Sequence, residues 1–421
     1  MSGPPPQEQI EATLQWVTEV FGRYYEANPP PMPARFARRE FGFLWTGKKF
    51  FLRHTGFSSR ETFQHFMARE APHHAYYSTA YYKTPHAATM KEKEWLGADL
   101  IFDLDADHLP GGDKMSFAQQ LAEVKAQARK LLDDFLLGDF GFDPEHVKIV
   151  FSGGRGYHFH VTDPRVQSLD SAARREIVDY LSPNDTVKGF IHGKWIVERT
   201  VHDGFGHARK VKTIPPATVG GWPGHLSKVL ADYLDQLAQR PRSEAVAELC
   251  QFKGIGETKA QQALAWVTPG LIERIRTGAD WQSGNERLEL PPGLQQEALV
   301  RALVDKLTVM AEGETDEPVT ADIKRLIRLP GSLHGKTGLR VTPIALDDFA
   351  SFDPLRDAVA LGEEPVRIVV SKPMEVPLRG ERVTVQPGEQ ELPLYQAMFV
   401  VLRRGALRPF SPMGVTPGPS S

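Results

Sequence analysis

Hydrophobic and polar positions alternate with a period of two in several short segments of the chain, and this period is typical of β-strands. The segments lie at residues 40–53, 99–106, 147–162 and 339–345. Stretches with helical spacing separate them, among them an amphipathic pattern at residues 117–137. The pattern therefore predicts a mixed α/β (α+β) core that is assembled from segments distant in the sequence.

Helical spacing is most continuous between residues 166 and 310, and we expect this part to form a mainly helical subdomain inserted into the core. The core would then comprise residues 1–165 and 311–406, followed by a disordered tail at residues 407–421, which is rich in Pro, Gly and Ser. Within the insertion, residues 254–256 (GIG) resemble half of a helix-hairpin-helix, whose amides contact DNA phosphates. Such a Gly-rich segment is more commonly a turn between two helices that binds no ligand.

The segment at residues 100–107 (LIFDLDAD) carries the strongest chemical signal. Because an extended chain alternates faces, Asp103 and Asp105 lie on one face, while Phe102 and Leu104 point into the core. Two carboxylates this close repel each other unless a cation lies between them, and hard oxygen ligands suit Mg²⁺ or Mn²⁺. For such a short motif on its own, a solvated strand face is the alternative.

Residues 148–161 (KIVFSGGRGYHFHV) predict two strands joined by a Gly-rich turn. The glycines allow backbone amides to approach a ligand, while Ser152 and Arg155 add a hydroxyl and a planar donor group, which suit phosphate oxygens. His158 and His160 share one face of the second strand. The alternative is a tight hairpin with exposed histidines.

A third polar segment begins at an isolated carboxylate, Asp316. We expect a short helix after it and then a break at Pro330 and Gly331, which presents a polar loop. Hydroxyl, imidazole and cationic groups of this kind bind triphosphates, although a basic amphipathic helix is the commoner meaning of such a cluster when it stands alone. The helix would carry Lys324, Arg325 and Arg328, and the loop Ser332, His334 and Lys336.

Taken together and in this order, the three segments resemble the catalytic small subunit of the archaeal and eukaryotic type of DNA primase. The resemblance extends to residues 39–43 (REFGF) and to a closing helix at residues 395–406, and it is weakest between residues 165 and 310. It implies a primase-polymerase catalytic core around the three segments.

The resemblance also implies a metal-dependent polymerase site, in which Asp103, Asp105 and Asp316 hold two divalent ions, Mg²⁺ or Mn²⁺. The residues that would bind the nucleoside triphosphate are Ser152, Arg155, His158, Arg328 and His334. In a site of this kind one ion lowers the pKa of the attacking ribose hydroxyl and the other neutralises the leaving pyrophosphate. No nucleophilic protein side chain is required.

We therefore expect a DNA primase catalytic subunit, a nucleotidyltransferase that copies single-stranded DNA into short primers. A repair or translesion polymerase of the same superfamily would share the motifs but would extend ends and gaps. A non-catalytic nucleic-acid-binding subunit is a third hypothesis. The carboxylates argue against it, because a pure binder gains nothing from negative charge where phosphates must lie.

Net charge and aromatic residues bear on how DNA would be held. The formal net charge of the 421-residue chain is -3, so DNA must be bound by a local groove and not by a globally basic surface. Aromatic side chains beside strands are more often core than stacking platforms. The candidate groove residues are Arg38, Arg39, Lys48, Lys49, Arg53 and Lys83, with Tyr76, Tyr77, Tyr81 and Tyr82 between them.

Cys250 is the only cysteine, which excludes a disulfide framework or an iron–sulfur cluster held by this chain alone. Residues 108–148 lack the Cys/His pattern of the family's zinc knob, so we predict no structural zinc. The resemblance implies a heterodimer with a large subunit that carries an iron–sulfur cluster. No apolar run approaches a membrane span, and we expect a cytoplasmic, nucleoid-associated protein.

Overall fold

The computed structural model describes residues 7–109, 111–202, 205, 207–278, 287–313 and 315–408. The chain divides into two compact units. The first comprises Met1–Arg129, Phe142–Glu176 and Thr315–Ser421, and the second comprises Lys130–Gly141 and Ile177–Glu314. The segment predicted as an insertion, residues 166–310, overlaps most of the second unit, but residues 166–176 lie in the first unit and residues 130–141 in the second.

The α-helices of the described residues follow in chain order. They are α1 (Gln7–Ala27), α2 (Arg60–Glu70), α3 (Met90–Lys93), α4 (Phe117–Lys130), α5 (Ser171–Leu181), α6 (Asp185–Trp195), α7 (Trp222–Gln239), α8 (Arg242–Cys250), α9 (Glu257–Leu264), α10 (Pro269–Thr277), α11 (Glu297–Ala311), α12 (Glu317–Ala321), α13 (Pro354–Asp357) and α14 (Leu394–Leu402). A π-helical segment, Leu131–Asp139, continues α4. None of these helices is both long and apolar enough to cross a membrane.

The strands are mostly short. They are β1 (Phe41–Leu44), β2 (Phe51–Thr55), β3 (His74–Ser78), β4 (Ala80–Tyr82), β5 (Trp95–Ala98), β6 (Leu100–Asp105), β7 (Val147–Phe151), β8 (Gly156–Val161), β9 (Val197–His202), β10 (Ala208–Ile214), β11 (Leu288–Glu289), β12 (Leu326–Arg328), β13 (Thr342–Ile344), β14 (Pro365–Val370), β15 (Met374–Val376), β16 (Val383–Val385), β17 (Gly388–Pro393) and β18 (Ala406–Leu407). The predicted mixture of helix and sheet is confirmed.

Two antiparallel sheets of the first unit carry the segments with chemical signals. One has the strand order β12-β3-β1-β2 and the other β13-β7-β8-β6. In the second sheet, β6 pairs Asp103 with His158 and Asp105 with Gly156. This register places the carboxylate pair beside the end of the Gly-rich turn between β7 and β8.

The alternation predicted for β6 is seen in its burial. Leu100, Phe102 and Leu104 are at most 4% exposed, while Asp103 and Asp105 on the other face are half-buried. The apolar face anchors the strand in the core, because removing that surface from water stabilises the fold. The carboxylate face is therefore held on a rigid element, as a site that depends on geometry requires.

The basic segment after Asp316 is not helical. The prediction of a helix that carries Lys324, Arg325 and Arg328 is therefore wrong. Helix α12 ends at Ala321, where the Asp322 carboxylate accepts a hydrogen bond from the Lys324 amide at 2.8 Å. Strand β12 then pairs with β3 and places Arg328 opposite Tyr76. Pairing with a strand far earlier in the chain overrides the local helical pattern.

Several predicted groove residues belong to the core, so that part of the groove prediction is wrong. Arg39, Tyr77, Tyr81 and Tyr82 are all buried. The Arg39 guanidinium donates to one oxygen of Asp99 at 2.7 Å, and the Tyr81 hydroxyl donates to the other at 2.6 Å. A buried guanidinium needs such a partner, because an unpaired buried charge is strongly destabilising. These side chains therefore hold the sheet together and are closed to DNA.

The second unit is not purely helical, because β9, β10 and β11 form an antiparallel sheet in it. Residues 254–256 form the turn between α8 and α9, where Gly254 has a positive φ of 84° and Ile255 is buried. The Lys259 ammonium donates to the Gly254 carbonyl at 3.0 Å. The segment is thus a turn between two helices, and a contact with DNA stays a prediction.

His73, which precedes β3, is buried as a neutral imidazole. Its Nδ1 accepts from the Thr46 amide at 3.1 Å, and its Nε2 lies 3.0 Å from the Thr18 hydroxyl. Burial, with the charge of Lys48, lowers the pKa of His73 from 6.5 to about 4. Protonation of Nδ1 would remove the acceptor that the Thr46 amide uses.

This environment predicts acid lability. Between pH 6.5 and 4 the unfolded chain binds a proton at His73 that the folded chain does not, so stability falls as the pH is lowered through this window. The loss from this one group at pH 5 should be about 2 kcal/mol. Urea unfolding at pH 7 and pH 5 measures it. His73→Gln should lessen the pH dependence, whereas His65→Gln, at an exposed position, should not; equal slopes in all three proteins would contradict the assignment.

Candidate active site

The structure brings the three predicted carboxylates together in the first unit. Asp103 and Asp105 project from β6, and Asp316 begins the turn into α12. The Asp316 amide donates to the Asp103 carbonyl at 2.8 Å, and the Thr315 hydroxyl lies 3.3 Å from the Asp103 amide. These backbone contacts place Asp316 beside β6, although the two segments are far apart in the sequence.

The charge on this cluster is unfavourable without a cation. Burial, together with the negative charges of Asp105 and Asp316, raises the pKa of Asp103 to about 7. The positive charges of Arg325 and Arg328 oppose this shift only in part. A divalent ion would relieve the repulsion, and carboxylate oxygens are the ligands that Mg²⁺ and Mn²⁺ prefer.

In the described part of the chain, no group of three or more His, Cys, Asp or Glu side chains already has the arrangement of a metal site. The three aspartates interact through their charges, but their side chains would have to move closer together to bind an ion. The donor chemistry and the raised pKa of Asp103 fit divalent ions, while the ligand geometry itself is not formed in this conformation.

The Gly-rich turn is shaped by Ser152. The Ser152 hydroxyl oxygen accepts from the amides of Gly154 and Gly156 at 3.2 and 3.1 Å. Its proton is not used in these two bonds and can be donated to a ligand. Gly153 has a positive φ of 75°, and a Cβ there would lie 2.8 Å from the Cβ of His334. A glycine is therefore required for the turn to approach the loop that carries His334.

His158 lies beside the carboxylates and not only beside the turn. Its Nε2 is 3.3 Å from Oδ1 of Asp103, and its Nδ1 has no hydrogen-bond partner among the described residues. Burial, with the neighbouring His160 and cations, holds the pKa of His158 well below its usual value, so the ring is neutral. Both histidines are buried, so the alternative of an exposed hairpin is wrong.

Arg328 projects toward the same cluster and is held by two residues of β3. Its Nη1 donates to Nδ1 of His74 at 2.6 Å, and its guanidinium lies 4.7 Å from the centre of the Tyr76 ring. Burial and the charge of Arg328 lower the pKa of His74 to about 3, so His74 is a neutral acceptor. His74 was not predicted from the sequence as a functional residue. The only sequence feature that marks it is its place in a pair of adjacent histidines at the start of a strand.

His334 occupies the loop after β12. Its Nδ1 lies 3.4 Å from the Lys336 amide, so Nδ1 is the acceptor and the ring proton is on Nε2. The Thr337 hydroxyl donates to the Gly153 carbonyl at 2.5 Å and ties this loop to the Gly-rich turn. His334 is thus a buried, oriented donor.

The remaining predicted residues differ in exposure. Arg155 is partly exposed, with Nη2 3.8 Å from Oδ1 of Asp105. Ser332 is fully buried, and its hydroxyl donates to the Leu329 carbonyl at 2.7 Å. Ser332 is therefore part of the loop's internal structure, and its grouping with the triphosphate-binding residues is wrong.

Comparisons with known proteins show the family of the chain. Residues 102–346 match the family model described as "DNA primase small subunit". The chain is 42% identical over 401 residues to the "DNA primase small subunit PriS" of Methanothrix thermoacetophila, covering 93% of this chain and 98% of that protein. The protein of the same name from Methanocella arvoryzae is 38% identical over 418 residues, with 94% and 98% covered.

A third relative carries the same name in another archaeon. It is the "DNA primase small subunit PriS" of Halorubrum lacusprofundi, 41% identical over 402 residues, with 93% of this chain and 97% of that protein covered. These matches span both the carboxylate strand and the loop with His334. The chain therefore belongs to the DNA primase small-subunit family.

Proposed function

We propose that this chain is the catalytic subunit that makes short primers de novo on single-stranded DNA, by template-directed transfer of nucleotides from nucleoside triphosphates. The observation that carries the proposal is that the charges of Asp105 and Asp316 act on Asp103, beside the Gly-rich turn that ends at Gly156. Burial, together with the negative charges of Asp105 and Asp316, raises the pKa of Asp103 to about 7. A protein that only bound nucleic acid would gain nothing from this charge.

Asp103, Asp105 and Asp316 would hold two divalent ions, Mg²⁺ or Mn²⁺. When bound, such ions lower the pKa of the attacking ribose hydroxyl and neutralise the leaving pyrophosphate. His158 contacts Asp103 at 3.3 Å and would fix the orientation of that carboxylate. The cofactor proposal rests on the donor chemistry and on the electrostatics of the cluster.

The chain's own donors would bind the triphosphate. Ser152 and the amides of the Gly-rich turn would contact it from one side, together with Arg155. Nε2 of His334, which lies beside the turn, and Arg328 would be further donors to it. Charge-assisted hydrogen bonds of this kind hold phosphate oxygens firmly and oppose the charge that develops during transfer. His158 is a further candidate contact; because its Nε2 faces the Asp103 carboxylate, the unpartnered Nδ1 of the neutral ring is an acceptor and would accept a hydrogen bond from a hydroxyl of the nucleotide, not contact a phosphate oxygen.

The direct test uses an unprimed single-stranded DNA template, nucleoside triphosphates and Mn²⁺ or Mg²⁺. We expect short products in the absence of any primer, resolved on a denaturing gel. A repair or translesion polymerase would extend a supplied primer but give no product on the unprimed template. A non-catalytic subunit would give no product on either. With the proposed large subunit present in the assay, each result selects one of the three hypotheses.

We also propose a heterodimer with a primase large subunit that carries an iron–sulfur cluster. Initiation must hold two nucleotides and a template before any product exists, which costs association entropy that one open site does not cover. Phe190 of α6 and Val309 of α11, in the second unit, are 66% and 67% exposed. Lys188 of α6 forms an ion pair at 2.6 Å with Glu312, the residue that follows α11. Exposed apolar side chains on adjacent helices suit a partner surface.

The partner proposal predicts that the isolated chain extends primers better than it starts them. Co-purification from the native organism should recover the large subunit. Phe190→Glu and Val309→Glu should each weaken this association, because a buried charge at an interface is costly. Leu96→Glu changes a residue of the first unit that is 58% exposed and should have no effect. A lone chain that initiates at full rate would refute the heterodimer.

A further inference from the structure

Arg155 of the Gly-rich turn is already bound to a carboxylate. Its Nη2 hydrogen-bonds to Oδ1 of Asp107 and lies 3.8 Å from Oδ1 of Asp105. Its Nη1 lies 3.4 Å from Oε1 of Gln120. The guanidinium group proposed to bind the triphosphate is thus engaged by protein oxygens in this structure.

The backbone holds Asp107 in this position. Asp107 lies in the 3₁₀ turn Ala106–His108 that follows β6, and its amide donates to Oδ1 of Asp105 at 3.0 Å. Gln120 is fixed in turn, because its Nε2 donates to the Gly112 carbonyl at 2.6 Å. The backbone of Asp107 and the side chain of Gln120 are therefore both held beside Arg155.

A second guanidinium lies near Arg155. Arg403 stacks on the rings of Phe117 and Phe399, with its central carbon 4.8 and 5.3 Å from their centres. Burial and the charge of Arg155 lower the pKa of Arg403. Two neighbouring cations attract an anion, and in this structure the anion at Arg155 is the Asp107 carboxylate.

We propose that Asp107 is a positioning residue that occupies Arg155 until the triphosphate of the incoming nucleotide displaces it, so that Asp107 sets the affinity for the nucleotide. This inference rests on the proposed function. The side chain of Asp107 is 70% exposed, so its ion pair with Arg155 is screened by water and easily exchanged. A triphosphate carries more charge and more acceptor oxygens than one carboxylate, and it wins the competition for the guanidinium.

The test compares Asp107→Asn with Asp113→Asn in primer extension. Asp113 is an exposed carboxylate of the neighbouring 3₁₀ turn Gly112–Lys114, so its substitution gives the same change in net charge. Asp107→Asn should lower the KM for nucleotide by about two- to fivefold and change kcat less, as expected for loss of a competing surface ion pair. Asp113→Asn should leave both constants unchanged. Asp107→Glu restores a competing carboxylate and should return KM toward the wild-type value.

A double-mutant cycle separates competition at Arg155 from a general effect of charge. Arg155→Ala alone should raise KM. In that background Asp107→Asn should have no further effect, because nothing is left for Asp107 to occupy. Calorimetric titration of nucleoside triphosphate should show the same pattern in Kd without turnover.

The inference is overturned if Asp107→Asn leaves KM unchanged or raises it, or if it lowers KM equally in the Arg155→Ala background. The proposed function fails separately, if the wild-type chain neither binds nucleotide nor extends a primer. A third outcome refutes the positioning role alone. The wild-type chain would extend primers and Arg155→Ala would raise the KM for nucleotide, but Asp107→Asn would leave that KM unchanged.

Discussion

Asp105→Ala is expected to lower nucleotide addition by on the order of 10³-fold or more, the largest effect of any single change in this chain. The loss should fall on kcat, because the carboxylate would hold the ions that stabilise charge on the transferred phosphoryl group. Asp316→Ala should behave alike. Primer extension with saturating nucleotide measures both. Removal of divalent ions with a chelator should reproduce the loss in the wild-type chain.

The fold of the Asp105→Ala variant should survive. Asp105 belongs to a repulsive cluster in which its charge helps raise the pKa of Asp103, so its removal relieves repulsion while the apolar face of β6 is untouched. The thermal midpoint and template binding should stay near wild-type values. Asp347→Ala, at an exposed carboxylate of the same unit, is the control and should keep full activity. An Asp105→Ala chain with a native fold and more than a few per cent of activity would refute the metal assignment.

The part of the site that could be predicted from the sequence is the part fixed by local alternation. The period of two places Asp103 and Asp105 on one face, and the glycines of residues 153–156 require a turn. The register of β6 with β8 then brings His158 opposite Asp103. Strand periodicity and turn geometry depend on adjacent residues, so the shared face and the turn could be predicted, whereas the register of β6 with β8 joins distant segments and could not.

The rest depends on contacts between distant segments. Whether Arg328 lies on a helix or a strand is decided by β3, which pairs with it, and the sequence around Arg328 contains no trace of that partner. Burial of Arg39 follows from Asp99, and the role of His74 follows from Arg328. Side chains that suit a DNA groove by type can serve equally well in the core, and only the tertiary fold distinguishes the two.

Arg328→Ala is expected to lower kcat/KM by on the order of 10²-fold, less than the loss of either carboxylate. Arg328 is proposed to donate to the triphosphate, and removing one such preorganised donor costs about this much. Arg328→Lys should recover only part of the loss, because an ammonium keeps the charge but lacks the planar donor pair that bonds His74 and a phosphate together. Steady-state extension kinetics measure all three proteins. The control is Arg367→Ala, which changes an exposed residue paired with Glu391 and should leave kcat/KM unchanged.

His74→Ala tests whether the orientation of Arg328 matters as well as its charge. Nδ1 of His74 accepts from Nη1 of Arg328 at 2.6 Å, so its loss frees the guanidinium to adopt other rotamers while the charge stays. The expected loss of kcat/KM is smaller than for Arg328→Ala, and the double variant should be no worse than Arg328→Ala alone, because the two residues act as one unit. Fully additive losses of kcat/KM would show that His74 does not act through Arg328. An Arg328→Ala variant with unchanged kcat/KM would show that Arg328 does not bind the nucleotide.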